Sequence, residues 1–167
     1  MRDRNVKILV EGAMMVAITF VLHLLKIYQA PYGGSVTLGS MVPILLFAFR
    51  YGAGPGILVG SAYGILDYIV NPYFVHPAQV ILDYPLAYGL LGLAGFFRRN
   101  IYVGSAVGIL GRLVSHFLSG VIFFAEYAEG NVYLYSLVYN AQYLVPELII
   151  ALVILRFALR RLLEVKV

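Results

Sequence analysis

The sequence contains no cysteine and no tryptophan, and only 12% of its 167 residues are charged. Without cysteine there is no disulfide, no thiolate nucleophile and no cysteine metal site. Without tryptophan, any aromatic surface has to come from the 14 tyrosines and 10 phenylalanines. The shortage of charge excludes most. Soluble domains carry about a quarter charged residues, whereas this chain is 62% hydrophobic with a mean hydropathy of +0.88. It belongs in a bilayer. The first apolar run lacks a small-x-small cleavage site and five more runs follow, so it is expected to stay as a helix rather than act as a signal peptide.

Apolar runs separated by charged, glycine or proline punctuation span about 6–26, 38–50, 54–71, 78–97, 101–124 and 134–160. They predict an all-α membrane protein, a bundle of six transmembrane helices forming one domain over residues 1–167. The second run is short for a span, which leaves open a five-helix arrangement with 38–71 partly re-entrant. Residues 28–39, YQAPYGGSVTLG, are the longest polar connection and are expected to form a loop.

Basic residues in loops set the orientation, because they stay on the cytoplasmic side. Arg2, Arg4, Lys7, Arg50, Arg98, Arg99, Arg156, Arg160, Arg161 and Lys166 all fall at one side of a six-helix weave, and only Lys26 falls opposite. Both termini are then cytoplasmic. The net charge of +4 is explained by this topology and implies no nucleic-acid partner.

Asp67, Asp83, Arg112, His116 and Glu147 lie inside apolar runs, where a charged side chain costs about 3 kcal/mol on insertion scales and faces a cavity or a partner. Counted from the cytoplasmic arginines at ~1.5 Å of rise per residue, Asp83, His116 and Asn140 stand at one level, roughly 22 to 26 Å up. Any one of them is as readily a hydrogen-bonding group between helices as a ligand contact. Three at one level on three helices point instead to an outward-opening pocket. Arg112 and His116 are four residues apart and share a helix face, as do Asn140, Tyr143 and Glu147. Glu147, only about 14 Å up, reads as structural, with Arg112 as a candidate partner. Asp67 stays undecided between the two roles. Gly56, Gly60 and Gly64 repeat every four residues and read as internal packing; Ala13 and Ala17 fit internal packing or a partner helix equally.

Rival classes find little support. Ser115 beside His116, or Ser61, offers a nucleophile for an intramembrane enzyme, but adjacent helical residues point about 100° apart. His23, His76 and His116 have no helical metal-ligand spacing. A self-sufficient proton-coupled carrier needs charges along the whole path, whereas these cluster in the outer half.

Four blocks carry a resemblance that spans nearly the whole chain: GGSVTLGSMVPI from Gly33, QVILDYPLAYGLLGLAG from Gln79, SHFLSGVIFF from Ser115 and YSLVYNAQYLVPE from Tyr135. The chain resembles the ThiT family, the thiamine-specific substrate-binding subunits (S components) of energy-coupling factor (ECF) transporters. The resemblance implies a multi-pass protein of a prokaryotic plasma membrane, which captures thiamine from outside and docks on a transmembrane coupling subunit and two ATPases. It implies no enzyme activity and no cofactor in this chain, thiamine being the cargo. The family's pocket falls on Tyr73, Asp83, Tyr84, Arg112, His116, Gly120, Phe124, Tyr135 and Asn140. Its lid loop falls on the segment holding Gly34 and Ser35, and its docking motif on Ala13 and Ala17. Asp83 would hold the cation or the aminopyrimidine, Asn140 and His116 would bond the pyrimidine, and Tyr84, Tyr135 and Phe124 would offer stacking surface.

Two departures stand out. Family members carry glutamate before the tyrosine and tryptophans in the lid and at position 124, whereas this chain has Asp83, Phe124 and no tryptophan. Weaker thiamine binding is expected, or a related ligand such as a pyrimidine fragment or thiamine phosphate.

Overall fold

The computed structural model describes residues 2–162. Six helices make the frame: α1 Arg2–Leu24, α2 Val42–Tyr51, α3 Ala53–Val70, α4 Pro77–Phe97, α5 Ile101–Phe123 and α6 Val132–Leu162. All but α2 contain a stretch long and apolar enough to cross a membrane. With ten residues α2 reaches only ~15 Å, about half a span, and seven of its residues are buried. It is a core helix, on which Ile44, Leu45 and Phe47 meet their neighbours instead of lipid. The connection from α1 to α2 is not all loop. Lys26–Gln29 (β1) and Ser35–Thr37 (β2) pair antiparallel around a turn at Pro31–Gly33.

At one end of the bundle the chain reverses sharply from α2 into α3 through Gly52, whose φ of 96° only glycine adopts without strain. There Arg98 donates from Nε to the Phe49 carbonyl at 3.1 Å and from Nη2 to that of Arg50, satisfying the last carbonyls of α2. The Glu11 carboxylate on α1 accepts from Tyr51 Oη at 2.7 Å and pairs with Arg50 at 3.5 Å. Arg50 and Arg98 thus meet at one end, as the loop charges require. Lys166 lies outside the described residues, as do the side chains of Arg2, Arg160 and Arg161.

The glycine row of α3 packs internally, as its spacing suggests. A Cβ on Gly56 would meet Ala48 and Gly92, one on Gly60 the Tyr88 carbonyl, and one on Gly64 the Tyr84 carbonyl. Helices α3 and α4 therefore lie backbone to backbone, the close approach that small residues permit where lipid offers no hydrophobic drive. On α1 the small residues divide. Gly12 is buried against Val59 and Phe47, while Ala13 and Ala17 point outward beside Met14 and Ile18.

Helix α4 changes pitch along its length. Pro85 interrupts the normal ladder, and Leu82–Leu86 form a π-type turn between two α-helical pieces. Hydroxyls from neighbouring helices bond the carbonyls of this turn: Ser115 on α5 donates to Leu82 at 2.6 Å, and Ser61 on α3 donates to Pro85 at 3.0 Å. Both serines that the sequence offers as nucleophiles are thus tied to backbone carbonyls. The wide turn carries Asp83 and Tyr84.

Candidate functional site

Beneath the β1–β2 hairpin lies a cavity of about 400 Å³, walled by every helix except the short α2. This is the size range of small-molecule sites, ~300 to 1,000 Å³. All nine residues expected to contact ligand, Tyr73, Asp83, Tyr84, Arg112, His116, Gly120, Phe124, Tyr135 and Asn140, line it, and so do Gly34 and Ser35 of the hairpin.

Asp83 is the hub of its polar wall. Oδ1 meets His116 Nδ1 at 3.1 Å, while Oδ2 accepts from Gln79 Nε2 at 2.7 Å and from Ser119 Oγ at 2.8 Å. On the other side of the imidazole, Arg112 Nε donates to His116 Nε2 at 3.2 Å. A guanidinium can only donate, so Nε2 is the accepting nitrogen and Nδ1 carries the hydrogen directed at Asp83. The histidine is thereby fixed in one tautomer. Arg112 also lies over the Tyr88 ring, 4.0 Å from its centroid, a cation–π contact in a buried place. The candidate pairing of Arg112 with Glu147 does not form: Arg112 turns to His116 and Tyr88, and Glu147 turns to Thr37.

Glu147 instead holds the hairpin. Its Oε1 accepts from the Thr37 backbone N–H at 2.5 Å and from Thr37 Oγ1 at 2.6 Å. Further along α6, Tyr139 Oη donates to the Pro31 carbonyl and accepts from Gly34 N at 3.4 Å. Gly34 lies against the Tyr143 ring, so closely that a Cβ there would come within 2.5 Å of it. The hairpin covers the cavity and is fastened to α6 at two points.

Asn140 is built into the same helix face. Its Nδ2 donates to the Ser136 carbonyl at 2.9 Å and its Oδ1 accepts from Tyr143 Oη at 2.6 Å. Gly120 on α5 leaves room here, since a Cβ would collide with the Ser136 hydroxyl. Aromatic rings form the rest. Tyr73 stacks on Phe124 with centroids 5.9 Å apart, and Tyr135 on Tyr139 at 6.2 Å. Tyr84 differs from expectation. Its hydroxyl donates to the Asn71 carbonyl at 2.9 Å and accepts from Tyr73 N at 3.0 Å, so it anchors the α3–α4 connection as well as walling the cavity.

Sequence reading passed over several lining residues. Gln79 precedes Asp83 by one helical turn and Ser119 follows His116 by three residues, so helical spacing signals both. Tyr88 looks like an ordinary core aromatic until the fold turns it inward, whereas Tyr139 and Tyr143 flank Asn140 on its own helix. Asp67 and His23 face each other at 3.8 Å across α3 and α1, a pairing that no local spacing signals.

Two carboxylates, Asp67 and Asp83, face one guanidinium, Arg112, in the cavity walls; Lys26 also lines it, but from the exposed strand β1. With Lys26 counted, two acidic and two basic side chains line the cavity. In a poorly screened, aromatic-lined space each carboxylate and each ring face offers a local contact to an organic cation.

Known proteins share this fold. A solved structure of ThiT from Listeria monocytogenes shares the fold with a TM-score of 0.82, at 23% identity over 94% of this chain and 95% of that one. The S component of a bacterial ECF transporter shares it with a TM-score of 0.59, at 22% identity over 92% and 96%. In sequence, the thiamine transporter ThiT of Bacillus subtilis is 34% identical across 88% of this chain and 87% of its own length. The thiamine transporter ThiT of Lacticaseibacillus paracasei is 29% identical across 77% and 73%. The family described as thiamine transporter protein matches residues 9–167, which takes in all six helices, the lid and every cavity residue named above. With that coverage and the Bacillus likeness together, the chain belongs to the thiamine transporter family.

Proposed function

We propose that this protein captures thiamine at the outer face of a bacterial plasma membrane as the S component of an ECF importer. The observation that carries the reading is the Asp83–His116–Arg112 chain set in a covered, aromatic cavity. Thiamine is a flat aminopyrimidine joined to a permanently cationic thiazolium. The pyrimidine needs paired donors and acceptors at a fixed angle, which Asp83, His116 and Asn140 offer from three helices. The thiazolium needs aromatic faces and a carboxylate nearby, which Phe124, Tyr73, Tyr135 and the acidic side chains of the cavity offer. Tyr84 and Gly120 shape the walls, and Gly34 and Ser35 close the site from above.

The lid faces outward in this reading, and the end that gathers Arg50 and Arg98 faces the cytoplasm with both termini. No cofactor is assigned to the chain, since thiamine is cargo. Energy comes from partners, a transmembrane coupling subunit and two ATPases. For docking, Ala13 and Ala17 offer a flat strip on α1 that the bundle itself leaves open. Reconstitution in liposomes tests this. The purified chain alone is expected to retain thiamine without accumulating it inside, and accumulation is expected once the coupling module and ATP are added. Thiamine accumulation by the chain alone would overturn the reading.

A further inference from the structure

Gln79 lines the cavity from the first turn of α4, one helical turn before Asp83, and is only 1% exposed. Its amide is engaged at both ends. Nε2 donates to Asp83 Oδ2 at 2.7 Å, while Oε1 accepts from the backbone N–H of Val75 at 3.1 Å. A backbone N–H can only donate, so the amide is held in one orientation. Flipping it would set an NH2 group against an N–H on one side and a carbonyl oxygen against a carboxylate on the other. His116 meets Asp83 on the same terms, because the Arg112 N–H makes Nε2 the acceptor and leaves the hydrogen on Nδ1, facing Oδ1. Two relays therefore converge on Asp83, Val75 through Gln79 and Arg112 through His116, and each begins at a group unable to accept. The Ser119 hydroxyl adds a third donor, to Oδ2 at 2.8 Å. A carboxylate has about four lone-pair sites, so about one remains, and it lies on Oδ1.

We propose that Gln79 is a positioning residue for ligand binding: it fills Oδ2 with a donor that cannot reverse, which holds the Asp83 carboxylate in one orientation and leaves Oδ1 as the oxygen offered to the cavity. This rests on the thiamine reading above, in which Asp83 meets the ligand, and gives Gln79 a part in that site. Without the amide, Oδ2 keeps only the Ser119 hydroxyl, which rotates about its C–O bond and fixes no direction. The terminal torsion of an aspartate is broad and roughly two-fold, so the carboxylate is then free to turn and carry Oδ1 away from His116. The same amide ties Val75 and with it the α3–α4 connection, the segment that brings Tyr73 against Phe124. Gln79 thus joins the polar wall of the cavity to its aromatic wall.

The test is Gln79→Met, which keeps the length of the side chain and removes its donor and acceptor, on the detergent-purified full chain. By calorimetry the variant is expected to bind thiamine about tenfold or more weakly, the scale of one lost hydrogen bond to a charged group. The readout that separates positioning from packing is the His116 Nδ1–H proton in NMR spectra of the ligand-free protein, since that hydrogen reports on Oδ1 directly. In the native protein it is expected as a downfield signal sheltered from exchange with water, and in Gln79→Met to shift or to be lost to exchange. A native protein without that signal overturns the inference before any variant is made. So does Gln79→Met that binds thiamine within threefold of the native affinity, and so does weaker binding with the His116 signal unmoved, which would leave Gln79 a packing role only. Native protein that shows the signal but binds no thiamine overturns the thiamine reading instead, which separates the two failures.

Discussion

Glu147 of α6 and Thr37 of β2, 110 residues apart in sequence, are joined twice over, the carboxylate accepting from both the backbone N–H and the hydroxyl of the threonine. The Thr37 hydroxyl in turn caps the next turn, accepting from Ser40 N at 3.0 Å. A buried carboxylate with two such bonds holds the lid's descending strand against the helix that carries Asn140 and Tyr143.

Thr37→Val removes one of those bonds while keeping the shape. A hydrogen bond to a charged group is worth about 1.5 to 3 kcal/mol, and here it is lost from the closed lid. Thiamine dissociation, followed by stopped-flow fluorescence of the tyrosines, is expected to quicken about tenfold. An unchanged rate would show that the Thr37 hydroxyl bond does not hold the lid closed.

Gly60→Ala tests the contact between α3 and α4. The added methyl falls on the Tyr88 carbonyl, which is backbone and cannot swing aside. Overpacking of this kind costs typically 1 to 3 kcal/mol, and the shift reaches Asp83 and Tyr88 through α4. Thermal unfolding in detergent is expected to fall by several degrees and thiamine affinity to drop with it. Gly54→Ala, where nothing lies within 4 Å, is the control expected to leave both unchanged.

Phe124→Trp addresses the missing tryptophan. Phe124 stacks with Tyr73 in the cavity wall and would present a more electron-rich face as an indole, the best aromatic partner for a cation. Thiamine affinity is expected to rise about threefold to tenfold by calorimetry, in line with ~1 kcal/mol for one improved cation–π contact. Weaker binding would place the cation away from this ring.

Ala13→Trp probes the open strip on α1. The side chain points away from the bundle, so folding and thiamine binding are expected to persist while uptake driven by the coupling module is lost. Joint loss of binding and uptake would indicate a damaged fold rather than a blocked docking face.

The frame of the molecule is legible in the sequence because long apolar runs in a membrane protein have few alternatives to helix. Five helices run close to their expected limits. The second begins at Val42 rather than near 38, because Thr37 and Ser40 hold the preceding chain in the lid. Asp83, His116 and Asn140 are legible for a related reason: polar groups are expensive at that depth, so a level shared by three helices marks a cavity. What escapes is anything set by cross-chain contact. The lid strands read as a polar loop because four- and three-residue strands leave almost no alternation to detect. The π-type turn that aims Asp83 depends on hydroxyls of Ser61 and Ser115 from other helices. Glu147 is legible as structural, but its partner lies in the lid and not at Arg112.

The most direct test of the central claim is calorimetric titration of the detergent-purified chain with thiamine, for the native protein and for Asp83→Asn. The native protein is expected to bind one thiamine per chain. The variant, which exchanges the hub carboxylate for an amide, is expected to bind at least 100-fold more weakly while still unfolding cooperatively. Equal affinity in the two proteins would contradict a site built around Asp83 and His116.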